Sequence, residues 1–431
     1  MGHATALTGR MASQLYSIGA ILLSTAFLLL GNGLTNTLVP LRAHLEGFSQ
    51  LEIGLLGSFY YGGFVVGCFL IPRFLSRVGH IRTFAVAASL TGATVLIHPI
   101  IVNPFVWLVV RAAFGFCAAG VYMVIESWLN DRATNEDRGR ILSAYVAVNL
   151  GSIMLGQWLL PVASPRGSEL FSLAAVLYAL CVVPVGMTLL PQPAPQAAPK
   201  LRVRRMIELS PVGMAGVTAV GLANGAFWTL GPVYAISLGF TTTGVAVFMS
   251  AFVLGGTLIQ IPLGRVSDRL DRRWVIAGIS AAAAVGGVAL ALLHRWGAHV
   301  PWLLYPLALF FGAAMLPLYS LSIAHANDRI DRSEFLEASA TLLMVNALAS
   351  VAGPTLAAIV TAATGMGSLF LYTAGVHTVM VVFTLSRIVA VRAPEGAERE
   401  HFVAMPQQGS ANALELDPRS HEEEVGRSEA A

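Results

Sequence analysis

The stretch TLVPLRAHLEGF at residues 37–48 returns as TLGPVYAISLGF at residues 229–240, 192 positions further along. Thr37, Leu38, Pro40, Gly47 and Phe48 are reproduced as Thr229, Leu230, Pro232, Gly239 and Phe240. At the same offset Gly63, Arg73 and Arg77 recur as Gly255, Arg265 and Arg269. After a five-residue slip the offset becomes 197, and Gly115, Tyr122, Asn130-Asp131-Arg132, Val148-Asn149 and Gly156 recur as Gly312, Tyr319, Asn327-Asp328-Arg329, Val345-Asn346 and Gly353. Coincidence does not accumulate at two fixed offsets. The chain is a duplicated unit of about 190 residues, and repeats are the first thing to settle in reading a fold.

The repeated unit is strongly apolar. Of the 431 residues 56% are hydrophobic and 11% charged, with a mean hydropathy of +0.71, which excludes an ordinary soluble domain. Twelve apolar runs follow one another, at about 14–40, 51–72, 82–102, 105–128, 140–161, 168–190, 209–234, 243–264, 274–294, 301–325, 336–362 and 368–389. Each is long enough to cross ~30 Å of hydrocarbon as a helix. Membrane strands would be shorter and would alternate apolar with polar residues, so the expected fold is all-α and integral to the membrane. Its twelve transmembrane helices would form two pseudo-symmetric six-helix bundles, over residues 1–190 and 209–390. The first run lacks a small-residue cleavage site and reads as a helix that stays in place rather than a signal peptide.

Arginine placement sets the orientation. The loops after runs 2, 4, 6, 8 and 10 carry sixteen Lys or Arg residues, against three (Arg42, Arg166 and Arg295) on the other side. The positive-inside rule then puts both termini in the cytoplasm. Residues 191–208, PQPAPQAAPKLRVRR and the three that follow, read as a cytoplasmic linker, proline-rich and then basic. The polar tail, 391–431, reads as disordered. Cys68, Cys117 and Cys181 sit singly in apolar runs and suggest neither a disulfide nor a metal site.

The loop after run 8 reads GRVSDRLDRR, Gly264–Arg273. It resembles the G-x-x-x-D-R-x-G-R-R signature of the major facilitator superfamily through Gly264, Asp268, Arg269, Arg272 and Arg273, with Asp271 where that signature has glycine. A degenerate copy, RFLSRVGHIR (Arg73–Arg82), keeps Arg73, Arg77, Gly79 and Arg82 but has Ser76 in place of the acid. An acid embedded in a basic run is unnecessary for topology. It suits a gate whose charges pair with helix ends of the other half in one conformation and release them in the other, where small energies decide. VIESWLNDR (124–132), NTLVPL (36–41) and EDRGR (136–140) are similar to the YcaD-like branch of that superfamily. The drug-antiporter signature G-P-x-x-G-G is absent from run 5.

Two charges lie inside apolar runs. Arg111 opens RAAFG, which resembles the R-x-x-x-G motif on helix 4 of superfamily members, and an arginine in hydrocarbon normally faces a cavity or a partner. Glu126 follows fifteen residues later, ~22 Å along and about 60° around a helix, on the same broad face. It is the candidate proton carrier; the alternative is a structural pair with Arg73, Arg77 or Arg140. The resemblance implies a cavity lined by helices 1, 4, 7 and 10, hence candidate substrate contacts at Asn32, Asn36, Tyr61, Arg111, Tyr122, Asn224, Trp228 and Tyr319. His98, His325 and His377 read as hydrogen-bonded spacers.

No P-loop, dinucleotide fingerprint, metal-ligand cluster or nucleophile elbow is present, so the reading is not an enzyme and calls for no cofactor or metal. The expectation is a monomeric secondary transporter in the inner membrane of a bacterium, taking a small organic solute by alternating access with protons as coupling ion. Its other partners are membrane lipids, not nucleic acid. The alternative is a transporter-fold receptor or scaffold acting through its tail and linker.

Overall fold

The computed structural model describes residues 2–134, 136–187, 193, 200–295, 301–330, 334–391 and 402–417, with side chains of 2–17, 295 and 301 left aside. It is helical, with no strand among the described residues. The first half comprises α1 (Gly2–Leu45), α2 (Gln50–Val78), α3 (His80–Ile100), α4 (Pro104–Arg132), α5 (Arg138–Gln157) and α6 (Glu169–Leu180, continued by Val182–Gly186). The second comprises α7 (Pro211–Ser237), α8 (Thr242–Arg269), α9 (Arg272–Arg295), α10 (Pro301–Met315, continued by Leu318–Asn327), α11 (Phe335–Thr364) and α12 (Ser368–Ala390). Eleven of the helices are long and apolar enough to cross a membrane singly, and α7 makes the twelfth together with a short linker helix, Val203–Leu209, bent against it by 116°.

Local chemistry places the helix ends. Ser49 and Glu52 form a reciprocal capping box that starts α2, Asn103 followed by Pro104 starts α4, and Thr241 starts α8. The repeated glycines Gly47 and Gly239 hold φ of 81° and 84°, a left-handed turn that a side chain would strain. This is why the turn into the second helix of each half kept its glycine.

The other repeated glycines explain how each bundle packs. A Cβ on Gly63 would stand 1.9 Å from the carbonyl oxygen of Ala112, and one on Gly115 2.0 Å from that of Tyr60. The second half reproduces the pair: Gly255 faces Leu309 O at 1.9 Å and Gly312 faces Phe252 O at 1.9 Å. Gly156 against Leu30 and Gly353 against Leu222 repeat the theme, at 2.3 and 2.4 Å. Backbone-to-backbone approach is how apolar helices bind each other where burial from water supplies no drive.

The halves touch at one end of the molecule, remote from the arginine-rich loops. There Ser58 and Thr355 share a 2.6 Å hydrogen bond and Ser250 donates to Gln157 at 3.2 Å. A Cβ on Gly54 would meet the Ala358 side chain at 2.3 Å, and one on Gly57 the Thr229 hydroxyl at 2.1 Å. Toward the arginine-rich end the halves part and leave a central cavity.

The basic part of the linker is anchored: Arg202 pairs with Glu334 at 3.1 Å and with Glu337, and its backbone N–H donates to Thr341 at 2.9 Å, next to the short helix Val203–Leu209 and at the start of α11. The rest of the proline-rich stretch lies outside the described residues apart from Pro193. The tail departs from its reading. Residues 402–417 are ordered and run through the central cavity, ending in a 3-10 turn over Ala411–Leu416, with Met405, Ser410, Leu414 and Leu416 buried.

Candidate binding cavity

The cavity, of about 200 Å³ beside the tail segment, reaches from Asn36, Tyr60 and Trp228 near the sealed end to Leu75, His80 and Leu201 near the arginine-rich end. Of the candidate contacts, Asn36, Tyr61, Asn224 and Trp228 lie along it. Arg111 lines a smaller chamber at its blind end, shared with Asn36, Tyr60, Tyr61, Trp228 and Thr229. Both halves therefore contribute walls to it.

Arg111 is 4% exposed. Its guanidinium lies over the Tyr60 ring at 4.7 Å and the Phe114 ring at 5.2 Å, cation–π contacts that hold the plane. One Nη donates to the Asn36 side-chain oxygen over a long 3.5 Å, and Nε and the other Nη meet no protein acceptor. None of the ion pairs among the described residues involves it. A charge so placed lacks the hydrogen bonds that normally offset its removal from water.

Three expected contacts do not line the cavity. Asn32 donates to the Tyr122 hydroxyl at 3.2 Å, and the Tyr178 hydroxyl donates toward Asn32 at 3.1 Å and Thr35 at 3.2 Å. This closed network ties α1, α4 and α6 together, so Asn32 and Tyr122 are committed to packing. Tyr319, the copy of Tyr122, is fully buried in α10 with its hydroxyl unpartnered. Tyr60 also lines the cavity, and so does Asn346, which was not among the expected contacts although it repeats Asn149, another lining residue.

Glu126 makes no ion pair with Arg73, Arg77 or Arg140, so the structural pairing is corrected. Arg73 and Arg77 are exposed and Arg140 pairs with Asp137 at 3.5 Å. Fully buried, Glu126 accepts from the Tyr145 hydroxyl at 2.8 Å, and from the Ser410 N–H and hydroxyl at 2.7 and 2.6 Å.

At the loop motif, Arg272 is 1% exposed and spans two acids, Asp268 at 3.1 Å and Asp328 at 2.8 Å, while also donating to Ser267 at 2.9 Å. Arg273 grips Asp271 at 2.7 Å and donates to the Val391 carbonyl at 2.7 Å. Burial raises the pKa of Asp271, but the hydrogen bonds from Arg273 outweigh it and hold the carboxyl below its usual value. Arg269 stays exposed. All these pairs lie within the second half, so in this conformation the motif braces its own bundle. Gly79 turns α2 into α3 with φ of 84°, while Asp271, its counterpart, turns α8 into α9 without positive φ.

The family model of the Major Facilitator Superfamily matches residues 21–248 and 213–416. The chain belongs to that superfamily and is an integral membrane protein of the transporter fold. It is 26% identical over 376 residues to an uncharacterized MFS-type transporter of Yersinia pestis (strain Pestoides F), covering 86% of this chain and 96% of that one. It is 24% identical over 376 residues to the uncharacterized MFS-type transporter YcaD of Escherichia fergusonii, with the same coverage of 86% and 96%. Among solved structures it resembles the nucleoside transporter NupG (TM-score 0.69, 15% identity, 87% of this chain and 98% of that one). It also resembles the human organic anion transporter MFSD10 (TM-score 0.58, 15% identity, 86% and 99%). At such identities these likenesses bear on the fold.

Proposed function

We propose that this chain is a secondary active transporter of a small organic solute bearing an anionic group, seated in a bacterial inner membrane with the arginine-rich loops and both termini in the cytoplasm. The observation that carries the reading is Arg111: a buried guanidinium, oriented by two rings, with Nε and one Nη lacking protein acceptors in a chamber walled by both halves. A carboxylate or phosphate there would accept a forked pair of hydrogen bonds from a donor already fixed in plane. The surrounding Tyr60, Tyr61 and Trp228 would take the solute's apolar or ring portion, and Asn36 and Asn224 its polar edges.

Alternating access follows from two stiff bundles that meet at one end and part at the other. The present form is open toward the cytoplasm, and rocking the halves would close that mouth and part the Ser58–Thr355 seam. Glu126 is the proposed proton site, since it is the one carboxylate deep in α4 and it faces hydroxyl and N–H groups instead of a cation. One proton crossing with the membrane potential supplies ~2.3 kcal/mol per 100 mV, or about fiftyfold accumulation.

A thermal-shift screen of purified protein against carboxylated and phosphorylated metabolites tests the substrate class, because bound ligand stabilises with the logarithm of its concentration over its dissociation constant. Hits should lose about thirtyfold or more in affinity in Arg111→Ala, the scale of truncating one partner of a buried charge pair. Unchanged affinity would remove Arg111 from the site. Glu126→Gln should keep that binding and lose pH-driven accumulation in proteoliposomes. Undiminished accumulation would reassign the proton.

A further inference from the structure

We propose that the cavity is also a binding site for a segment of this same chain, Phe402–Asp417, which acts as a resident competitor for the transported solute and holds the cytoplasmic mouth open; the word competitor rests on the transporter reading above.

The segment's contacts are of three kinds. On the second half, the Phe402 N–H donates to the motif acid Asp268 at 2.9 Å, and the Phe402 ring covers Gly264, where a Cβ would lie 2.2 Å from it. In mid-cavity, Asn224 donates to the Gln407 side-chain oxygen at 2.5 Å, Gln407 donates to the Leu316 carbonyl at 2.7 Å, and the Gln408 amide reaches the Tyr61 hydroxyl at 3.4 Å. On the first half, Ser410 gives both of its donors to Glu126, and the Asn412 amide donates to the Ser127 hydroxyl at 2.6 Å while Arg138 binds the Glu415 carbonyl at 2.8 Å.

These contacts fit a ligand better than a frayed end. Gln407, Gln408, Ser410 and Asn412 each meet a partner inside the protein, so these polar groups gain the bonds that burial demands. Two of the residues it occupies, Tyr61 and Asn224, are proposed solute contacts, so the two ligands cannot share them. The segment also spans both bundles, from Asp268 to Glu126. Rocking the halves together at this mouth would have to expel a segment of sixteen residues. While it stays bound, the conformation closed to the cytoplasm is sterically denied.

The test reads conformation and peptide binding, neither of which needs the solute to be known. Spin labels go on Arg77→Cys and Arg269→Cys, both exposed at the mouth on opposite halves, in a background of Cys68→Ala, Cys117→Ala and Cys181→Ala. Full-length protein should give one long distance. Deleting residues 402–431, beyond the last helix, should add a second, shorter population. A synthetic peptide of residues 402–417 should restore the single distance and raise the melting temperature of the truncated protein but not of the full chain. The peptide carrying Ser410→Ala should bind roughly tenfold more weakly, as expected on losing the buried hydroxyl hydrogen bond to the Glu126 carboxylate while the N–H bond remains. A distance distribution indifferent to the deletion, or a peptide that neither binds nor restores it, would overturn the proposal. A truncated protein that merely melts earlier, with its distances unchanged, would overturn it as well, since that marks a structural strut. If the solute screen finds nothing while the peptide behaves as stated, the transporter reading fails and the self-binding site stands.

Discussion

At the loop between the second and third helices of each bundle the two halves solve one packing problem with different chemistry. The second half encloses a charge cluster in which Arg272 stands between Asp268 and Asp328 with little exposure. At the same repeat positions the first half has His80, Ser76 and Asp131, and its Asp131 pairs with the adjacent Arg132 at 3.4 Å. Deeper in the bundle the asymmetry reverses. The first half carries Arg111 and Glu126, where the second has Ala308 and Ile323. The glycine contacts are nevertheless the same to within about a tenth of an ångström. Packing is what the duplication preserved, whereas charge has been sorted, with bracing ions in one half and candidate working ions in the other.

The largest effect should come from removing the cluster's centre. Arg272→Ala leaves two carboxylates facing each other with their shared counter-ion gone and should destabilise by about 3–5 kcal/mol, the cost of breaking a buried pair from one side. His80→Ala, its counterpart, removes no shared counter-ion and should cost less, and equal losses by thermal unfolding in detergent would break the comparison. Next come the matched glycines. Gly115→Ala and Gly312→Ala should each cost about 1–3 kcal/mol by overpacking against a carbonyl, and the two should agree within error. A large difference would mean that the halves are not packed alike. The smallest effect is constructive: Ser76→Asp combined with His80→Arg rebuilds the cluster in the first half beside Asp131. A gain of up to ~1 kcal/mol in unfolding free energy is expected, as for a partly exposed pair, and a loss would show that the first half cannot seat the triad.

Much of this architecture was legible in the chain. Hydrophobic run length gave the spans, and the repeat paired them, because close helix contact demands glycine at fixed sites and two copies expose that demand. Arg111 was visible as a charge where hydrocarbon should be. What escaped was set by partners distant in sequence. Asn32 and Tyr122 are amphipathic residues on a cavity-lining helix, and nothing local says that Tyr178 closes a network with Asn32 and turns it from the cavity. The tail escaped for a stronger reason. FVAMPQQGSANALEL (402–416) is apolar at eight of its fifteen positions, but it has neither helical nor strand periodicity and is too short to build a core of its own. Its order is borrowed from Asp268, Asn224 and Glu126, three residues scattered through the two bundles.

The seam at the sealed end has one further consequence. Gly54 and Gly57 lie hard against Ala358 and Thr229 of the opposite half, so a methyl group added to either would work as a wedge in a hinge. At ~1–3 kcal/mol of crowding, a single carbon atom would multiply the share of molecules with that seam parted by roughly 5- to 150-fold. Gly57→Ala would thus be a one-atom handle for trapping the face that this structure keeps shut.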